Sequence, residues 1–95
     1  MSHTIVALMQ DRPGVLNRAV SLMRRHGCNI GSLTVGRSET PGVSTMIAVV
    51  DAEEVTQVVR HLSRLVEVLA AREVSDVQVM EREARDALSQ ADGIA

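Results

Sequence analysis

The strongest constraint on the fold is the order in which two hydrophobic periodicities alternate along the chain. Apolar residues recur with the spacing of a strand, a helix, two strands, a second helix and a last strand. The predicted elements cover residues 3–10, 13–26, 30–37, 43–50, 52–65 and 66–74. This order is the split βαβ, or ferredoxin-like, arrangement, an α+β sandwich with a four-stranded antiparallel sheet and two helices on one face. Because a bare apolar sheet face is costly, we expect a partner to cover the other face.

Turn and capping residues fix the predicted boundaries of these elements. Pro13 suits the first turn of the first helix, because its missing N–H would be unpaired there, and Gly27 is a suitable stop for that helix. Pro41-Gly42 predicts the turn of a hairpin between the second and third strands. Asp51 and Glu54 have the spacing of a capping box, so the second helix is predicted to begin directly after Asp51. Leu33 and Val35 alternate with polar residues, which predicts one buried face for the second strand.

The last fifth of the chain differs from the rest. We predict one domain over residues 1–76 and a C-terminal tail over residues 77–95. The tail contains good helix formers and charges of alternating sign. It is either a helix or a segment that becomes ordered only against a partner.

Composition excludes several functional classes. The 95 residues include no Phe, Tyr or Trp, so the core is aliphatic and bases cannot stack on aromatic rings, as RNA-binding domains of this topology require. The net charge of −2 argues against a binder of polyanions. The single cysteine, Cys28, fits a reducing compartment. No membrane span or signal peptide is recognisable, so we expect a cytoplasmic protein.

The sequence offers no catalytic or metal-binding pattern. His3, His26 and His61 lack the spacing of a zinc site, and Cys28 stands in no nucleophile motif. We therefore expect no catalytic residue, no metal ligand and no cofactor on this chain.

The turn before the first helix is the best candidate for a binding site. Free N–H groups of Gly14, Val15 and Leu16 at a helix N-terminus would favour an anion, and Gly14 would let a carboxylate approach the backbone. The alternative is that Pro13-Gly14 only makes a tight turn. Asn29 could hold an amino acid's charged groups or simply occupy a turn. Asp11 could pair with an ammonium group or cap the helix.

These residues resemble a known family. The D-R-P-G-V-L run at Asp11–Leu16 matches the D-x-P-G-V-L pattern that opens the first helix of ACT domains, which sense amino acids. Residues 24–44 and 65–69 resemble the small regulatory subunit of acetolactate synthase (acetohydroxyacid synthase), and the likeness extends over about residues 3–83. Longer members of the family continue into a second ferredoxin-like domain, so we expect this chain to be either a naturally short subunit or a fragment of a longer one.

The resemblance implies a regulatory role in the biosynthesis of branched-chain amino acids. ACT domains of this family form homodimers through the edges of their second strands, and the effector lies at the seam. By resemblance, Gly14 and Val15 donate backbone N–H groups to the carboxylate of valine, and Asn29 comes from the neighbouring chain. The large catalytic subunit carries thiamine diphosphate, Mg²⁺ and FAD. The small subunit activates it and confers feedback inhibition by valine.

The remaining implied contacts concern the rest of the effector. Asp11 helps to receive the ammonium group, although many members have Asn there, and Leu16 and Ile30 border the side chain. A competing interpretation is a structural activator or scaffold without an effector site. Another is a small acyl phosphate hydrolase, but its anion-binding loop does not resemble the turn at Asp11–Gly14.

Overall fold

The predicted order of six elements is confirmed by the structure, a computed structural model that describes residues 1–74. The predicted tail lies outside the described residues. The elements are β1 (Ser2–Gln10), α1 (Val15–Arg25), β2 (Asn29–Arg37), β3 (Val43–Asp51), α2 (Thr56–Arg64) and β4 (Val68–Val74).

The four strands form one antiparallel sheet in the order β2-β3-β1-β4. The two central strands, β1 and β3, pair along their whole length, from Ser2 opposite Asp51 to Gln10 opposite Val43. Strands β2 and β4 form the two edges. This confirms the predicted ferredoxin-like fold and places the β1–α1 turn at the end of the sheet that also carries the β2–β3 turn.

An aliphatic core lies between the sheet and the two helices. Alternate residues of β1, namely Ile5, Ala7 and Met9, face the helices and are almost inaccessible to water. Leu22 of α1 and Leu62 of α2 meet them in the same cluster. Each fully buried aliphatic side chain contributes roughly 1.5–3 kcal/mol to the free energy of folding. The aliphatic residues therefore stabilise the packing of the helices on the sheet without aromatic residues.

The end of α1 is a Schellman motif, which confirms Gly27 as the helix stop. Gly27 adopts φ +82°, its N–H donates to the carbonyl of Arg24 at 3.0 Å, and the N–H of Cys28 donates to the carbonyl of Met23 at 3.1 Å. Cys28 and Met23 are both buried in the core cluster. The motif turns the chain sharply, so Asn29 follows directly as the first residue of β2.

Two helix starts differ from the predictions. The first helix begins at Val15, with Gly14 as its N-cap, so Pro13 lies in the preceding turn. The predicted capping box at Asp51 is wrong. Asp51 is the last residue of β3, its carboxylate lies 2.7 Å from the N-terminal ammonium of Met1, and α2 begins at Thr56 without a side-chain cap.

Two strand predictions also need correction. The fourth strand begins at Val68 instead of Val66, whose side chain is 90% exposed. Leu33 and Val35 are 38% and 41% exposed, although they share a face with the buried Ala48 and Met46. Their strand, β2, lies at the edge of the sheet, where the helices cover it only in part.

Among the described residues, neither helix is long and apolar enough to cross a membrane.

Candidate functional site

The β1–α1 turn leaves an accessible helix N-terminus beside Gly14. Gly14 adopts φ +86°, which favours glycine, and a Cβ atom added there would meet no atom within 4 Å. The first turn of α1 contains no acidic residue, and no side chain caps it. The positive end of the helix dipole is therefore not neutralised by the helix itself, and the space beside Gly14 suits an anion.

Hydrogen bonds hold this turn in place. The N–H of Gln10 donates to the carbonyl of Glu67 at 2.8 Å, and the N–H of Asp11 donates to the carbonyl of Gly42 at 2.8 Å. Arg18 of α1 forms an ion pair with the carboxylate of Glu67. The turn is thus attached both to the loop before β4 and to the β2–β3 turn, which fixes the direction of the helix axis.

The backbone N–H groups predicted to bind an anion at the start of α1 are not equally free to bind a ligand. The N–H of Val15 donates to the carbonyl of Arg12 at 3.3 Å, a long contact near the limit for a hydrogen bond. The side chain of Val15 is buried in the core, so only its backbone could reach a ligand. Leu16 is partly buried against the same core. The carboxylate of Asp11 is exposed and does not cap α1, so the capping interpretation of Asp11 is wrong.

Asn29 and Ile30 lie at the opposite end of the sheet from Gly14. Asn29 pairs with Asp51, which in turn pairs with Ser2 at the start of β1, whereas Gly14 follows the end of β1. A strand of nine residues separates the two ends by roughly 27 Å. One chain therefore cannot bring Gly14 and Asn29 together.

The two residues at the start of β2 also differ in orientation. Ile30 pairs with Val50 and shares its helix-covered face, whereas Asn29 shares the face of Asp51. Ile30 is partly buried and Asn29 is exposed. Both lie on an edge strand with no neighbouring strand on its outer side among the described residues. Such an edge is a template for pairing with another chain.

A shallow cavity of about 370 Å³ connects the β1–α1 turn to the edge strand. It is lined by Asp11, by Arg37 at the end of β2, and by the β2–β3 turn at residues 38–43. Ser38 organises that turn: its hydroxyl lies 2.9 Å from the carbonyl oxygen of Val43 and accepts the N–H of Thr40 at 3.2 Å. Sequence reasoning did not identify Arg37, since a single arginine at a strand end forms no pattern.

The perturbed ionisable groups lie away from this turn. A hydrogen bond of 2.7 Å to the Glu73 carboxylate raises the pKa of His3. The N-terminal ammonium lowers the pKa of Asp51, and burial raises the pKa of the Cys28 thiol. Residues 1–74 contain no group of three side chains suited to hold a metal ion. This end of the molecule is a candidate binding surface, because it combines a helix terminus that favours an anion with charged side chains of both signs, Asp11, Glu39 and Arg37.

A βαββαβ sandwich whose first helix opens on a glycine in a D-x-P-G turn is an ACT domain. A sequence model of the AHAS small subunit-like ACT domain matches residues 5–70. The chain therefore belongs to the ACT-domain family of acetolactate synthase small subunits.

Relatives and solved structures agree with this assignment. The chain is 44% identical over 85 residues to a probable acetolactate synthase small subunit of Archaeoglobus fulgidus, covering 87% of the chain and 53% of the relative. It is 41% identical over 90 residues to the acetolactate synthase small subunit of Mycobacterium leprae, covering 93% and 48%. The chain thus spans about half the length of these relatives.

The crystal structure of the acetolactate synthase small subunit from Thermotoga maritima superposes with a TM-score of 0.71 at 34% identity, covering 81% of this chain and 49% of that one. The ACT domain of a GTP pyrophosphokinase from Chlorobium tepidum superposes with a TM-score of 0.67 at 14% identity. The latter likeness concerns the fold alone.

Proposed function

We propose that this chain is a non-catalytic regulatory subunit that binds valine, or a related branched-chain amino acid, between two copies of itself and thereby controls a separate acetolactate synthase catalytic subunit. The observation that carries the proposal is the open left-handed Gly14 at an uncapped helix N-terminus. It lies at the end of the sheet opposite Asn29, and among residues 1–74 no strand pairs with the outer edge of β2, where a second chain could pair.

Pairing of two β2 edges explains how the separated residues could form one site. In an antiparallel pair, the Asn29 end of one β2 lies beside the Arg37 end of the other. Arg37 borders the cavity that reaches Asp11 in the β1–α1 turn. A two-fold pair would therefore bring Asn29 of one chain to the sheet end that carries Gly14 of the other.

Each part of an amino acid would find a matching group in such a pocket. The carboxylate would accept the N–H groups that begin α1, at Gly14 and Val15, where the weak contact of Val15 to Arg12 can be exchanged for a charge-assisted one. The ammonium would lie near the exposed carboxylate of Asp11. Leu16 would border the aliphatic side chain.

The second chain would complete the pocket from the seam. Ile30 lies on the helix-covered face, and in the proposed pair it would contact the apolar side chain of the ligand. Asn29, on the other face, would reach the ligand from the rim of the sheet.

A ligand in this position can act on a partner only through linkage. Valine would favour the dimer geometry that encloses it best, and it would inhibit the catalytic subunit only if its affinity differs between the active and inhibited assemblies. A coupling factor of about 100 requires only about 2.7 kcal/mol. Thiamine diphosphate, Mg²⁺ and FAD would belong to the catalytic subunit in this scheme.

Calorimetric titration of the complete chain with valine, leucine and isoleucine tests the proposal. We expect binding of at least one of them, and we expect Asn29→Ala to weaken it by roughly 1–3 kcal/mol, the cost of leaving a charged partner without its hydrogen bond. Gln57→Ala is the matched control, because it removes an exposed amide from α2. This helix packs against β4, the edge strand farthest from β2. No heat and no thermal shift at millimolar ligand would instead favour a structural activator without an effector site.

A further inference from the structure

The exposed surface of the two helices carries charge of one sign. The 11 residues of α1 and the 9 residues of α2 contain five arginines and no Asp or Glu. All five arginines are exposed: Arg18, Arg24, Arg25, Arg60 and Arg64. A helix dipole favours basic residues in the last turn and acidic residues in the first turn, yet both first turns lack acidic residues. Helix stability therefore accounts for part of the positive charge but not for the missing negative charge.

Four of these arginines have no acidic partner. Arg18 forms an ion pair with Glu67, whereas no carboxylate of residues 1–74 lies within ion-pair distance of the other four guanidinium groups. Residues four positions apart on a helix are neighbours, and Arg60 and Arg64 have this spacing, so like charges lie side by side on α2. Like charges on one surface repel each other, and an acidic partner would relieve that repulsion.

A contact between the two helices joins these arginines into one surface. The imidazole rings of His26, at the end of α1, and His61 of α2 stack with their centroids 4.5 Å apart. Arg25 precedes His26 and Arg60 precedes His61, so arginines of both helices flank the stack. The basic helix surface, as we name it, consists of the four unpaired arginines, Arg24, Arg25, Arg60 and Arg64.

We propose that the basic helix surface docks on an acidic surface of the acetolactate synthase catalytic subunit. This inference rests on the proposed function, which requires a contact with that subunit, and it identifies the surface that makes the contact. The turn at Gly14 and the β2 edge are taken by the amino acid and by the second chain in that proposal, whereas the helix surface stays accessible. Arginine suits such a contact, because its planar guanidinium pairs with a carboxylate through two parallel hydrogen bonds.

The composition of the surface favours an acidic protein over other anionic partners. The chain has no aromatic residue on which the bases of a nucleic acid could stack, and its net charge of −2 repels a long polyanion beyond the arginines. The other exposed side chains of the two helices are polar and provide no apolar anchor for a membrane. They are Asn17, Ser21, Thr56, Gln57 and Ser63.

The proposed pair of chains would double this surface. Two antiparallel β2 strands within one sheet are related by a two-fold axis perpendicular to the sheet, which leaves the helices of both chains on the same side. Two basic helix surfaces would then face the same direction. Their field attracts an acidic partner over about one Debye length, roughly 10 Å at 0.1 M salt, so the association should be weakened strongly by salt.

The association of the complete chain with the purified catalytic subunit of the same organism tests the inference. We expect the affinity, measured by biolayer interferometry, to fall about tenfold or more between about 50 and about 300 mM NaCl. Arg60→Gln together with Arg64→Gln should weaken the association about tenfold at the lowest salt concentration and reduce its dependence on salt. Arg60→Lys together with Arg64→Lys keeps the charge and should stay within about threefold of the unaltered chain.

Two controls separate the surface from general effects. Ala70→Glu changes the net charge by as much as Arg64→Gln alone, but on the opposite sheet face, since Ala70 is exposed and pairs with Leu8. Arg64→Gln should weaken the association about threefold, and Ala70→Glu should change it less than about 1.5-fold. Titration with valine should give the same affinity for the Arg60→Gln/Arg64→Gln chain as for the unaltered chain, because neither arginine belongs to the proposed pocket. Circular dichroism checks that each variant is folded.

Four results would overturn the inference: an affinity that does not depend on salt, equal affinities of the unaltered and Arg60→Gln/Arg64→Gln chains, a loss in the double lysine variant as large as in the double glutamine variant, or equal weakening by Ala70→Glu and Arg64→Gln. In each of these cases the chain still binds the catalytic subunit, so the proposed function stands and the docking surface is wrong. If the unaltered chain does not bind the catalytic subunit at any salt concentration, the proposed function fails and this inference fails with it.

Discussion

Substitution of Gly14 separates backbone strain from the electrostatics of the proposed pocket. Gly14→Ala and Gly14→Asp both place a Cβ atom at φ +86°, where no neighbouring atom lies within 4 Å. For alanine the cost to stability is therefore strain, about 1–2 kcal/mol. The cost for aspartate should be smaller, because aspartate tolerates the left-handed region better and its carboxylate interacts favourably with the uncapped start of α1. For a domain of this size, each kcal/mol lowers the unfolding temperature by roughly 4–8 °C.

The two variants should differ much more in ligand binding. A carboxylate about 4 Å from the carboxylate of valine is repelled by about 1 kcal/mol in water and about 4 kcal/mol at an effective dielectric constant near 20. The affinity of the Gly14→Asp variant should therefore fall between about 5-fold and about 1000-fold. Gly14→Ala adds a methyl group without charge, and its affinity should fall less than about tenfold.

Calorimetric titration with valine, together with urea unfolding of each variant, measures both effects. Gly27→Ala is the control for strain, because Gly27 has nearly the same φ of +82° and equally open surroundings. Its loss of stability should equal that of Gly14→Ala. A folded Gly14→Asp chain that binds valine as tightly as the Gly14→Ala chain would refute the placement of the ligand carboxylate at this helix terminus.

Two further predictions concern stability. The Glu73 carboxylate raises the folded-state pKa of His3 above 6.5, so this contact should stabilise the protein fully below pH 6.5 and less as the pH rises through the folded-state pKa. Glu73→Gln should abolish that part of the pH dependence of stability. Thermal unfolding at pH 5 and pH 8 measures it, and an unchanged difference between the two unfolding temperatures in the variant would contradict the prediction. Leu62→Ala should cost about 2–5 kcal/mol because Leu62 is completely buried. Leu69→Ala, at a side chain that is 59% exposed, should cost less than about 1 kcal/mol in the same urea titration.

The order of the elements could be predicted from the sequence because it depends on local periodicity. The end of the first helix at Gly27 could also be predicted, because a Schellman motif involves only a few consecutive residues. The predicted capping box failed because the role of Asp51 is decided by the N-terminal ammonium of Met1, 50 residues away. Leu33 and Val35 have the alternation of a half-buried strand, yet alternation does not reveal that a strand lies at the edge of its sheet.

The candidate site was predictable in its parts but not in its arrangement. Gly14 could be identified from the turn that it makes before α1. That Asn29 lies at the other end of the same sheet depends on strand pairing, which no local pattern encodes. Arg37 is recognised as part of the candidate site only because the folded chain places it in the same cavity as Asp11.

The distance between Gly14 and Asn29 in one chain has a genetic consequence. A symmetric pair of chains would contain two equal pockets. Each chain would supply the β1–α1 turn with Gly14 to one pocket and Asn29 to the other. A mixed pair of one chain altered at Gly14 and one altered at Asn29 would concentrate both defects in a single pocket and leave the other intact. Two alleles that each abolish regulation alone would then complement one another in the same cell.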